Sequence, residues 1–153
     1  MRTSTMGSRG FDAPDPGFEA RVRGSFAQQA MMRLLGAELV AVRAGEVEIA
    51  LPFRSDLTQQ HGYLHAAAIA AVADSACGYA ALTLMKPGFE VLSVEFKVNL
   101  LAPAKGQRFL AQAWVLKPGR TLTVCAAEVR AESHEGEKLV AAMQATMIVA
   151  PVS

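Results

Sequence analysis

Charge is scarce in this chain. Aspartate, glutamate, lysine and arginine make up 19% of 153 residues and balance to a net charge of +1, against the ~25% charged residues usual in a soluble domain. Without an excess of positive charge there is no long-range pull on a phosphate backbone, so nucleic acid is not an expected partner. Cysteine is almost missing too. Cys77 and Cys125 match no metal-ligand spacing, and a domain of 16.2 kDa needs no disulfide staple. Neither a metal nor another cofactor is expected, and a reducing, cytoplasmic setting fits two free thiols. The first twenty residues hold no apolar run of seven that could centre a signal peptide, and no internal repeat is evident.

What is abundant is apolar: 52% of the residues. That excludes disorder over most of the length and implies one core, with some of the surplus in a subunit interface. Residues 1–17 combine Gly, Pro, Ser and Asp without periodicity and are expected to form a disordered tail, leaving 18–153 as a single domain. From Phe18 to Leu35 apolar residues recur every three or four positions, which predicts one helix stopped by Gly36. Val47, Ile49 and Leu51 alternate with Glu46, Glu48 and Ala50, a strand paired into a hairpin through Arg43-Ala44-Gly45. Pro52 to Gly62 is a loop rich in hydrogen-bonding groups.

Leu64 to Met85 is the unusual stretch: 22 residues with one formal charge, Asp74. Its length would just span a bilayer, but alanine is only slightly hydrophobic and a central Asp is costly in lipid, so a helix surrounded by protein is expected and no membrane partner. Beyond Lys86-Pro87-Gly88 the period changes to two. Leu92, Val94, Phe96, Val98 and Leu100 alternate with Ser93, Glu95, Lys97 and Asn99, a half-buried strand, and three more strands follow, over 108–116, 121–131 and 139–149. Pro118-Gly119 and Ser133 to Glu137 supply turns, which implies antiparallel pairing. The fold class is α+β: a curved antiparallel sheet wrapped round one long central helix.

Three segments, in this order, are similar to the hotdog fold and, within it, to the PaaI-like acyl-CoA thioesterases. Gln59-Gln60-His61-Gly62-Tyr63-Leu64-His65-Ala66-Ala67 resembles the family's His-Gly-Gly turn, with Asp74 nine positions after His65. Ser93 to Pro103 resembles the strand that leaves the central helix, and Pro118-Gly119-Arg120-Thr121-Leu122 a turn found in many members. The resemblance covers roughly residues 20 to 150. It implies cleavage of acyl-CoA to free acid and CoA. It places the general base or nucleophile on Asp74, the carbonyl-polarising amide on Ala66, a positioning amide side chain on Gln59 and a hydroxyl near the base on Ser93. It also implies substrate binding at His65, His61, Gly62 and Ala67, with His65 mainly shaping the loop. Both family glycines are alanine here. A helix start accepts alanine readily, but the substrate then meets a methyl group.

The residues carry a physical argument beside this. Thioester hydrolysis needs a base for water and donors aimed at the oxygen where charge develops, and the unpaired amides at a helix start are such donors. Ala66 and Asp74 lie eight residues apart, about 12 Å of rise and roughly 80° of rotation on one helix. One helix therefore cannot bring both to one carbonyl. A homodimer with two composite sites is expected, Gln59 and Ala66 from one chain meeting Asp74 and Ser93 of the other; pairing of dimers into a homotetramer is left open.

Duller readings stand alongside. Asp74 could be a structural hydrogen-bonding group, though no basic residue occupies position 70, 71, 77 or 78. His65 reads as a loop or capping residue, His134 as solvated, and Cys77 as a small apolar side chain. Lys97, Arg108, Lys117 and Arg120 could meet CoA phosphates or simply solvent. A non-catalytic acyl-CoA binding or sensing module is the alternative function; a hydratase would need an Asp–His pair in one loop, which is not seen.

Overall fold

The computed structural model describes residues 10–152. The elements run α1 (Phe18–Gln28), α2 (Ala30–Leu35), β1 (Glu38–Arg43), β2 (Glu46–Pro52), α3 (Ala66–Leu82), β3 (Phe89–Leu100), β4 (Arg108–Lys117), β5 (Leu122–Ser133) and β6 (Gly136–Pro151). The strands form one six-stranded antiparallel sheet in the order β1-β2-β4-β5-β6-β3. Helix α3 lies across it and touches every strand from β2 to β6. Its Val72, Ala73, Ala76, Cys77 and Ala80 are sealed against Ile49, Phe109, Val115, Ala145 and Met147 of the strands. Alanine on the helix lets the sheet come close, and this shared apolar surface is the main source of stability.

The hairpin turn at Ala44-Gly45 and the turns after β4 and β5 fall where their Gly and Pro residues predict. Gly45 needs its glycine: φ is +77°, and an added Cβ would come within 2.6 Å of the Phe11 ring. Phe11 is thus packed on the body, and Asp15 meets Arg21 at 3.4 Å. Part of the expected tail is therefore placed, while residues 1–9 lie outside the described residues.

Three features depart from the periodicity. The first helix is not continuous: Gln29, with ψ of 104°, divides it into α1 and α2, and Gly36 in the left-handed region ends α2. The central helix stops at Leu82, shorter than its apolar stretch, and Arg21 of α1 caps it by donating to the carbonyl oxygens of Leu82, Met85 and Lys86 at 3.0, 2.6 and 2.9 Å. A cation at a helix C-terminus also complements its dipole.

The third departure is in β3. This strand pairs with β6, not with β4, and sits at the edge of the sheet. Its register shifts between Ser93 and Glu95, so Val94 is an extra residue, a bulge. Before the bulge Ser93 lies opposite the buried Met147; after it Phe96 and Val98 lie opposite the buried Ala145 and Met143. Directly opposed residues share a face. The bulge therefore puts Ser93 on the same helix-facing side as Phe96 and Val98, where simple alternation would put it on the other.

Candidate active site

At the N-terminus of α3 the backbone donors divide in an informative way. His65 is the N-cap, with Nδ1 accepting from the Ala67 N–H at 2.9 Å, and its carbonyl oxygen accepts from Ala68 and Ile69 at 3.0 and 3.3 Å. Leu64 N–H goes to Ala104 O and His65 N–H to Leu57 O. The Ala66 N–H alone is left with no acceptor among the described residues, and Ala66 lines a cavity of about 470 Å³ with Gln59, Tyr63 and Leu101. An unpaired first-turn amide at the positive end of a helix is a donor ready for an anionic oxygen.

The loop before it is a closed turn. Gln59 N–H donates to Tyr63 O at 2.9 Å and Gly62 N–H to Gln59 O at 3.0 Å, with Gly62 at φ +79°, a conformation that favours glycine. The exposed His61 donates its backbone N–H to Gln59 Oε1. That bond fixes the amide oxygen and leaves the Gln59 Nε2 hydrogens for a ligand. His65 is thus a cap whose Nδ1 is engaged by the Ala67 N–H.

Asp74 stands two turns further along α3, in a second cavity of about 550 Å³ that shares no lining residue with the first. Ser93 donates its hydroxyl to Asp74 Oδ1 at 2.7 Å and lies 3.4 Å from Met147 Sδ. No donor among the described residues is bonded to Oδ2. Close by, Ser75 donates to Gln29 Oε1 at 3.0 Å and Gln29 Nε2 donates to Tyr79 Oη at 3.0 Å. Ser25, Gln29, Ser75 and Tyr79 all line the Asp74 cavity, and the sequence reading singled out none of them for this site. The apolar repeat, which steps regularly from Phe26 to Ala30, gave no signal at Gln29.

The four central residues are thus placed in two pairs, Gln59 with Ala66 and Asp74 with Ser93, on separate cavities of one chain. His134 is exposed and paired with Gln107 at 2.8 Å, far from either pair in role. Cys77 and Cys125 are free and sealed in the core; burial raises both thiols, Cys125 to about 12, with Cys125 and then the Asp74 carboxylate as the lesser causes at Cys77. Thiols so disfavoured as thiolates are not nucleophiles.

A long helix laid across a six-stranded antiparallel sheet, with an open helix tip and a carboxylate further down, defines the hotdog class. The comparisons agree. The family model of the thioesterase superfamily matches residues 61–138, and the chain belongs to that superfamily. A solved thioesterase family protein from Silicibacter pomeroyi is 48% identical, with 89% of this chain and 100% of that one covered and a TM-score of 0.87. A conserved protein from Pseudomonas aeruginosa is 28% identical over 80% of this chain and 94% of its own, TM-score 0.74. The PaaI protein of the E. coli phenylacetic acid degradation operon shares the fold, with 17% identity, coverage of 89% and 94%, and a TM-score of 0.77. Membership of that superfamily supports acyl thioester hydrolysis as the general class of chemistry. No helix among the described residues is long and apolar enough to cross a membrane.

Proposed function

We propose that this protein is an acyl-CoA thioesterase working through two composite sites in a homodimer, with Asp74 as the base that activates water. The observation that carries the reading is the division of the site: an unpaired Ala66 amide in one cavity, an Asp74 carboxylate held by Ser93 in another, both needed at a single carbonyl.

Three features support a second copy as the missing half. Strand β3 is an edge strand of twelve residues, yet Leu92, Val94, Phe96 and Leu100 are 60%, 52%, 43% and 56% exposed. A long apolar edge is a template for pairing with another strand. Beside it runs a stripe of α3, with Ala67 exposed and Ala70, Ala71, Asp74 and Ser75 half-buried, that no element among the described residues seals. The cavities also lie towards opposite ends of β3, with Glu90 to Ser93 in the Asp74 cavity and Leu100 in the Ala66 cavity. Antiparallel pairing of β3 with its twin sets the first end against the second, so each Asp74 cavity meets the partner's Ala66 cavity.

The chemistry then follows from the groups. Oδ1 of Asp74 is occupied by the Ser93 hydroxyl, and Oδ2 takes a proton from water as that water attacks the thioester carbon. The carbonyl oxygen becomes anionic between the partner's Ala66 N–H and the partner's Gln59 Nε2, which are fixed before the charge appears. Collapse of the tetrahedral intermediate breaks the C–S bond. The thiolate of CoA leaves with the proton held by Asp74, and the acyl group departs as the free acid. Two unstrained cysteines kept as thiols fit a cytoplasmic setting.

The test uses a property of Ala66. It is the first helical residue, and His65 before it is extended at φ −65°, ψ 139°, so proline fits there and removes only the N–H. Asp74→Asn and Ala66→Pro should each lose at least a hundredfold in acyl-CoA hydrolysis, the usual scale for a missing base or oxyanion donor. Unfolded, mixed one to one and refolded together, they should regain about a quarter of wild-type activity, because half the dimers then hold one intact site. Failure to regain activity places both groups in one chain. A wild type that binds acyl-CoA but releases no thiol is the binding module instead.

A further inference from the structure

Gly78 lies one turn beyond Asp74, on the same face of α3, and lines the same cavity. Glycine inside a helix costs stability relative to alanine, and nothing in the fold requires it here. Its φ is not positive, and a Cβ built on it would meet only Val91 Cγ1 at 3.9 Å, an ordinary contact. Room for at least a methyl group is therefore left open next to the carboxylate. Beyond it stands a wall of polar groups already paired with one another: Ser75 to Gln29, Gln29 to Tyr79, and Tyr79 Oη 3.3 Å from Ser25 Oγ. The break between α1 and α2 anchors Gln29 in that wall. Moving it would unpair part-buried polar groups, so it is a fixed end rather than a yielding one. The pantetheine arm and nucleotide of CoA must reach solvent and the acyl group need not, so the walled side suits the acyl group.

We infer that Gly78 and the Gln29–Tyr79 wall determine which acyl group is taken: the missing side chain holds an acyl group that is wide at the carbons next to the carbonyl, and the wall excludes one that is long. This rests on the thioesterase reading of the same site. The experiment measures kcat/KM by thiol release from acetyl-, butanoyl-, 2-methylpropanoyl-, cyclohexanecarbonyl- and octanoyl-CoA, for wild type, Gly78→Val, Gly78→Ala and Tyr79→Phe. Gly78→Val should lower the ratio of cyclohexanecarbonyl to acetyl by about tenfold or more, the discrimination an apolar pocket makes over a methylene or two. Tyr79→Phe, with the wall unlocked, should raise octanoyl relative to butanoyl. Gly78→Ala should melt no lower than wild type and shift the ratio in the same direction as valine. Equal losses across the panel, or an alanine variant that melts lower, show a packing role and overturn the proposal. A wild type active on the panel with rankings unchanged by all three substitutions overturns this inference alone, whereas a wild type that cleaves no ester overturns the function on which it rests.

Discussion

Ser93 and Asp74, 19 residues apart in sequence, are joined by a 2.7 Å hydrogen bond from the serine hydroxyl to Oδ1. The bulge at Val94 makes this contact possible. Hydrogen bonds to an ionised group contribute about 1.5–3 kcal/mol, so Ser93→Ala should lower kcat roughly ten- to hundredfold with KM little changed. Steady-state hydrolysis of one acyl-CoA ester checks it; a change in KM alone would make Ser93 a binding group.

Gln59 offers a nearly isosteric test. Its Oε1 accepts from the His61 N–H, a bond that Gln59→Glu preserves while the free Nε2 donor becomes a carboxylate oxygen. The loop should keep its shape, and hydrolysis should fall by at least the ~2.7 kcal/mol of a lost oxyanion donor, or about a hundredfold. Thermal melting unchanged alongside that loss would locate the effect at the reacting oxygen.

Arg21 ties α1 to the end of α3 through three carbonyl oxygens. Arg21→Met keeps the length of the stem and removes the donors. We expect a loss of about 1–3 kcal/mol, seen as a fall of several degrees in melting temperature, with kcat/KM of the folded protein less affected than by Ser93→Ala.

The two core thiols set an alkaline limit. Burial raises the Cys125 thiol from 9.0 to about 12 and lifts Cys77 in the same direction. The unfolded chain then loses these protons at lower pH than the folded one. Stability from this source is whole below pH 9 and declines as pH rises from there towards 12, by up to about 1.4 kcal/mol per unit and thiol. Denaturant midpoints between pH 8 and 11 should show the decline, and Cys125→Ala should flatten it. In the native protein at pH 8 neither thiol should react with a disulfide reagent on the time scale of an exposed cysteine.

Local pattern made much of this molecule legible. The apolar, alanine-rich run around Asp74 is a helix because its period and composition allow little else, and the Gly and Pro turns punctuate the strands where their backbone preferences demand. The eight-residue separation of Ala66 and Asp74 also carried information, since helix geometry alone keeps them apart. What periodicity misread were Ser93 and Gln29. Strict alternation assigns Ser93 to a polar face, and a three-to-four repeat runs α1 and α2 together, because neither pattern registers one inserted residue or one extended ψ.

The helix, the strands and the spacing of the polar residues along them were encoded within windows of a dozen residues, where neighbouring side chains settle the backbone. Which strand became the exposed edge, which way Ser93 points, what caps α3 and what walls the Asp74 cavity were decided only when distant segments packed. The physical reason is that a bulge, a helix break or a cap takes its energy from partners tens of residues away: Met147 opposite Ser93, Tyr79 against Gln29 and Leu82 beneath Arg21.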